Sequence, residues 1–260
     1  MGAAGVLGVV DAFALEPAWL EVNHYDLAVP RLPHALDGYR IAHITDAHLQ
    51  DLGTTEKSIV EEVERSNAKL VLLTGDIINS PHDFGLLQEF CRELSARGRI
   101  LLATLGNWEY WGQVRPDDLA KTYAAVGVTL LGNESVCPDS GLCIVATDDS
   151  LTQRARAEVA LSKRTKAPVS LFVTHCPELF DMLPEAVERF DLSLAGHTHG
   201  GQARIGSLAP FVPPGSGRFV SGWYDLRFGR AYVSRGTGMS VAPARFLCRP
   251  ELPVFTLRRG

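Results

Sequence analysis

From Arg40 onward the chain alternates short apolar runs with amphipathic stretches, the rhythm of strand and helix in α/β proteins. Apolar runs at residues 40–44, 70–73, 100–105, 128–131, 142–146, 169–173 and 192–195 are read as strands. Residues 55–67 carry Ile59, Val60 and Val63 at helical spacing, and residues 84–96 do the same with Phe84, Leu87, Cys91 and Leu94. Beyond His199 the rhythm stops. Residues 200–222 are rich in Gly and Pro and end in aromatics, which predicts a long loop, before residues 230–234 and 254–257 return as strands. Nothing resembling a linker divides the chain, so the pattern predicts one α/β domain with sheet at the centre and helices outside.

Residues 1–20 stand apart from residues 21–260, the span of the predicted domain. The first fifteen are apolar except for Asp11. That run is shorter than the roughly 20 residues a membrane span needs, and it lacks the basic start of a secretory signal. It is read as the stump of a longer anchor or as a docking helix, so the protein is expected at a membrane surface or in the cytoplasm. A net charge of −5 offers no basic field for a nucleic-acid backbone, so no nucleic-acid partner is expected and a nuclease is disfavoured. The five cysteines are odd in number and form no C-x-x-C pair, which argues against a zinc ribbon and a disulfide framework. Cys137 and Cys143 are spaced to bridge a short hairpin, but spacing is the only support for that pairing, and it is not expected.

Candidate metal ligands follow the apolar runs. Asp46 and His48 come after the first, Asp76 after Thr74-Gly75, Asn107 after Gly106, His175 after residues 171–173, and His197 and His199 after Gly196. In open α/β sheets the carboxyl ends of strands border one crevice, so these side chains can converge. A Gly before Asp76, Asn107 and His197 suits a sharp exit from a strand. Imidazole with carboxylate or amide oxygen suits divalent cations, and the lack of thiolate ligands argues against structural zinc. A carboxylate such as Asp76 can bridge two cations, which together clamp a phosphate and acidify a water held between them.

The segments Asp46-Ala47-His48, Gly75-Asp76-Ile77-Ile78-Asn79, Gly106-Asn107-Trp108-Glu109, His175 and Gly196-His197-Thr198-His199 together resemble the calcineurin-like metallophosphoesterase superfamily. The resemblance runs from about residue 36 to the end of the chain. It implies a four-layer α/β/β/α sandwich of two mixed β-sheets flanked by helices. It also implies one cation on Asp46, His48, Asp76 and His199, and a second on Asp76, Asn107, His175 and His197. The expected cofactors are therefore two divalent metal ions (Mn, Zn, Fe or Mg, with Mn the first choice). A hydroxide held between them would hydrolyse a phosphoric ester or anhydride bond, with Asp76, Asn107, His175 and Trp108 as the catalytic set.

Trp108 departs from the family pattern, which has His there. Indole donates a hydrogen bond but cannot deliver a proton, so a leaving group that needs no acid, such as a phosphate, is favoured. Residues 197–202, 175–180 and 235–238 further resemble a membrane-linked bacterial branch that includes UDP-2,3-diacylglucosamine hydrolases. The expected partner is thus a phosphorylated small molecule or lipid-linked substrate, such as a nucleotide-linked lipid with a pyrophosphate, and the protein is expected to be a monomer. The rival readings are a metal-binding pseudoenzyme or scaffold, a broad-specificity phosphodiesterase and a protein phosphatase. His24, His34, His43 and His82 are read as ordinary loop or strand histidines. Asn79 and Glu109 are expected to orient ligands. Asp148, Asp149, Thr198 and Gln202 are weaker candidates for that role, and Arg235 is expected either to bind phosphate or to pair with a carboxylate.

Overall fold

The computed structural model describes residues 11–206 and 208–260. In chain order its strands are β1 (Glu21–Val29), β2 (Arg40–Ile44), β3 (Leu70–Thr74), β4 (Ile100–Thr104), β5 (Val128–Leu130), β6 (Glu134–Asp139), β7 (Leu142–Ala146), β8 (Val169–Val173), β9 (Leu192–Ala195), β10 (Gly222–Leu226), β11 (Gly229–Val233) and β12 (Glu251–Arg259). One sheet has the order β1-β12-β2-β3-β4-β5 and the other β10-β11-β9-β8-β7-β6. Strands β2 to β5 run parallel, and β12 joins them antiparallel through β2. In the second sheet β11, β9, β8 and β7 run parallel, with β10 and β6 antiparallel at the edges.

Every residue of β3, β7 and β8 is buried, as expected of parallel strands covered on both faces. Ile41, Leu70, Leu72, Ile144, Leu171 and Leu192 fill the layer between the sheets. Helices α1 (Thr54–Arg65), α2 (Phe84–Leu94) and α4 (Pro116–Ala124) cover the outer face of the first sheet with Ile59, Val63, Leu87, Phe90, Leu94 and Leu119. On the far side, α5 (Ala157–Ser162) and α6 (Leu179–Met182) pack Ala160, Leu179 and Phe180 against Val145, Phe172 and Phe190. The architecture is the expected four-layer sandwich.

The sequence pattern missed β1, β6, β10 and every helix after α2. In β1 only Leu27 and Val29 are buried, and polar Asn23, His24 and Asp26 break the alternation of an edge strand held mainly by its ladder with β12. Of the aromatics in or after the long loop, Phe219 is buried in the outer layer, and Trp223 lies in β10 against Tyr25, Tyr232 and Phe255. Phe211 is exposed. Cys137 and Cys143 form a disulfide between adjacent β6 and β7, contrary to expectation, because the antiparallel pairing brings their Cα atoms to 4.0 Å.

The apolar reading of residues 1–10 lies outside the described residues. Residues 11–18 pack on the far end of the chain: the Arg245 amide donates to the Ala12 carbonyl at 2.9 Å, and the buried Glu16 carboxylate accepts the Leu247 amide at 2.6 Å and that of Cys248. Among the described residues no helix is long and apolar enough to cross a membrane.

His43 is fully buried on β2, where its Nε2 meets the Thr74 hydroxyl at 2.7 Å. Burial pushes its pKa down to about 3 from the ordinary 6.5. Between those values the unfolded chain binds a proton there and the folded chain does not, so stability falls as the pH drops through this window. In His43→Gln the unfolding free energy, measured in urea, should vary less steeply between pH 7 and 4 than in the parent. An unchanged slope would contradict the assignment of a neutral buried ring.

Candidate metal centre

All seven residues singled out by spacing lie at the same end of the two sheets. Asp46 and His48 leave β2, Asp76 leaves β3, and Asn107 opens the short helix α3 (Asn107–Trp111) after β4. His175 leaves β8, and His197 and His199 leave β9. Stacking the sheets therefore brings strand ends from both layers to one place. Each of the seven is at least nine-tenths buried.

The glycines between strand and ligand serve two purposes. Gly75, at φ +83°, makes the sharp exit expected of it, whereas Gly106 and Gly196 are needed for close approach. A Cβ on Gly106 would fall 2.3 Å from an Asp76 carboxylate oxygen, and one on Gly196 would fall 2.4 Å from that of Asp46. The backbones of the candidate ligands are themselves strained: Asp46, His48, Asp76, His197 and His199 all have φ between +45° and +68°. Such left-handed residues cost about 1–3 kcal/mol each and persist only where the surroundings hold them, typically at functional sites.

Two subclusters result. In the first, His199 Nε2 lies 3.4 Å from Asp46 Oδ1 and 3.2 Å from His48 Nε2. In the second, His175 Nε2 lies 3.0 Å from Asp76 Oδ2 and 3.3 Å from His197 Nδ1. Asp46, Asp76 and His175 offer atoms within 4.8 Å of one another, which joins the two groups. Asn107 Oδ1 is buried and has no hydrogen-bond partner among the described residues.

The far ring nitrogens show which nitrogens face inward. His48 Nδ1 donates to Asn79 Oδ1 at 2.7 Å, His175 Nδ1 to the Thr74 carbonyl at 2.8 Å, and His197 Nε2 to the Pro214 carbonyl at 2.6 Å. Rings so tethered turn their other nitrogen into the centre, where it offers a lone pair whenever the ring is neutral. With an orphaned amide oxygen and two carboxylates alongside, this donor set suits divalent cations.

Electrostatics agrees. Burial alone would raise the pKa of Asp76, but His175 beside it, with His48 and the Trp108 amide, holds the carboxyl well below its ordinary value. Burial likewise works against a charged His175, yet Asp76 outweighs it and raises the imidazole well above its usual value. His199, which lacks so close a partner, is pushed down to about 3 by burial.

Several supporting groups are now placed. Glu109 accepts the amides of Ile77 at 2.7 Å, Asp76 and Gly106 at 2.9 Å and Ile78 at 3.3 Å, locking the turn after β3 to the turn after β4. Burial and the neighbouring Asp76 push its carboxyl up to about 7. Trp108 donates its own amide to Asp76 Oδ1 at 2.8 Å, and its ring meets His48 edge-on at 5.5 Å. The Tyr110 hydroxyl donates to Asp148, which ties α3 to the end of β7. Asp149 accepts the Cys176 thiol at 3.1 Å. Arg235 does not face the centre, because Glu251 and Glu21 hold its guanidinium at 3.2 and 3.1 Å.

Sequence reading missed Arg245, Pro214 and Cys176. Arg245 is fully buried and donates to the carbonyls of Arg235, Gly236, Gly238 and Cys248. It thereby shapes the loop whose Gly238 amide donates to the Asp46 carbonyl at 2.8 Å. No spacing rule marks such a residue. Cys176 lies within 4.8 Å of His175 and His197, and burial together with Asp149 pushes its thiol pKa well up.

Comparison with known proteins now decides the family. The model of the calcineurin-like phosphoesterases matches residues 39–201. This chain belongs to that family. The phosphoesterase is 31% identical to the Bacillus subtilis metallophosphoesterase YkuE over 94% of its own length and 87% of the relative's. It is 27% identical to the Escherichia coli phosphodiesterase YaeI over 93% and 90% of the two chains. Among solved structures, a dimetal phosphatase from Danio rerio shares 11% identity at a TM-score of 0.49, over 85% of this chain and 93% of that one. The protein is a metallophosphoesterase, and so a hydrolase.

Removal of Asn79's carbonyl would free the His48 ring. Loss of such an orienting partner typically costs about 10–100-fold in metal affinity. Asn79→Ala should weaken divalent-cation binding by that factor in calorimetry while the circular dichroism spectrum stays native. Undiminished affinity would show that His48 is not oriented for a metal.

Proposed function

We propose that this phosphoesterase hydrolyses phosphodiesters, including diphosphate diesters, at a centre of two divalent cations. One cation would be held by Asp46, His48, Asp76 and His199, the other by Asp76, Asn107, His175 and His197. The observation that carries this reading is the pairing of inward ring nitrogens, His48 with His199 and His175 with His197, across two buried aspartates. When bound, two cations neutralise charge on a phosphoryl group and acidify a water for in-line attack.

The chain's own residues do the rest. Asp76 sits between the subclusters, and the Trp108 amide and Glu109 fix its orientation. Asn107 presents an amide oxygen that no group among the described residues satisfies. The Trp108 indole, beside His48, has no proton to give a departing oxygen, so the preferred leaving groups are those stable as anions: a phosphate or an acidic phenol. A relative named as a phosphodiesterase supports a diester over a monoester.

The finer reading, the pyrophosphate of a nucleotide-linked lipid such as UDP-2,3-diacylglucosamine at a membrane surface, is supported by Trp108 and the sequence likeness at residues 175–180 and 197–202. The third segment of that likeness has another use here, since Arg235 is bound by carboxylates and residues 236–238 wall the Asp46 side. Manganese is the proposed first choice of metal, since mixed N and O ligands accept it.

Asp76→Ala should abolish turnover of bis(p-nitrophenyl) phosphate and lower the metal content of the purified protein together. Retained turnover would exclude the mechanism. Trp108→His should raise the hydrolysis of simple alkyl phosphodiesters relative to aryl ones by about 10²-fold or more, the usual gain from a positioned acid. A parent enzyme that handles both classes equally would contradict the leaving-group assignment. Bound metal without turnover of any diester would instead mark a binding module.

A further inference from the structure

A cavity of about 610 Å³ opens beside the metal centre, with His48 in its wall. Its size falls within the usual range for small-ligand sites. Three stretches of chain close it: residues 14–18, the turn from Ala47 into α1, and residues 237–243 after β11. The apolar part of the wall includes Pro17, Ala18, Met239 and Pro243. Among the described residues its charged side chains are Asp51 and Glu56, and no Lys or Arg lines it.

Those two carboxylates lie close enough that burial and Asp51 together raise the pKa of Glu56. Glu56 has a structural bond as well, accepting the Gly53 amide at 3.0 Å at the start of α1. Asp51 is exposed at the rim and forms no ion pair among the described residues. A phosphoryl group seated at the metal centre would direct one substituent past His48 into this space. A second phosphate or a carboxylate there would meet two like charges and no counter-charge. An amine-bearing alcohol would meet opposite charge with apolar walls around its methylenes.

We propose that this cavity is the subsite for one alcohol substituent of the phosphodiester, and that Asp51 and Glu56 select a cationic amino-alcohol over an anionic group. The proposal rests on the phosphodiesterase reading and deepens it, and it sets a diester of an amino-alcohol ahead of the nucleotide-linked lipid. It also assigns residues 14–18 a role at the site, because they form the outer wall.

The test compares three p-nitrophenyl phosphodiesters with the full chain: one bearing a trimethylammonioethyl group, one an ethyl group and one a carboxymethyl group. The value of kcat/KM should fall in that order, with about tenfold or more between the ends, as expected from one or two partly screened charge contacts. The Asp51→Asn/Glu56→Gln double variant keeps an acceptor for the Gly53 amide and should shrink that ratio to within about threefold. Ala18→Trp, which fills the space, should raise KM for all three esters more than it lowers kcat. Equal turnover of the three esters, a preference for the carboxymethyl ester, or a ratio untouched in the double variant would overturn this inference and leave the phosphodiesterase reading standing. Absence of turnover with every ester would remove both.

Discussion

Two aspartates and four imidazoles share a space shielded from water, and the surrounding structure keeps that crowding from relaxing. Burying a charge costs several kcal/mol unless it is paired or bound to a metal. The protein alone meets the requirement only partly: His175 can hold a proton against Asp76, but His48 and His199 face each other nitrogen to nitrogen with one carboxylate at the side. A cation between such groups is the simplest relief, and the family to which the chain belongs uses metals. The left-handed backbone at five of the seven candidate ligands is part of the same cost.

The fold makes this arrangement affordable by spreading the support widely. Strands from two sheets end together, so no single loop must carry all the ligands. Glycines at Gly106 and Gly196 let two turns approach carboxylates more closely than any side chain would permit. Amide hydrogens collected by Glu109, and carbonyls gathered by Arg245, pin the loops around Asp76 and Asp46. These two buried ionisable groups serve opposite ends of the same problem: one gathers free donors, the other free acceptors. Each satisfies backbone groups that strand ends leave unpaired.

The convergence of the candidate ligands was legible because each follows an apolar run long enough to be a buried strand, and because D, H and N are costly there without a purpose. The central strands were legible for the same reason, since β3, β7 and β8 are apolar throughout. Edge strands β1, β6 and β10 were not, because exposure on one or both faces lets polar residues interrupt their pattern. The Pro214 carbonyl that tethers His197 and the Thr74 carbonyl that tethers His175 carry no side-chain signature at all. Arg245, Glu16 and the Cys137–Cys143 bridge depend on which segments lie side by side, which only the tertiary structure reveals. Arg235 showed the converse, where a motif residue suggestive of phosphate binding proved to be an ion-pair partner of Glu21 and Glu251.

Equilibrium dialysis of the purified, chelator-stripped protein against manganese, followed by atomic absorption, tests the central claim most directly. Two crowded donor sets joined through Asp76 predict saturation at two ions per chain. Saturation at one ion, or uptake no greater than that of an unrelated protein of similar charge, would contradict it.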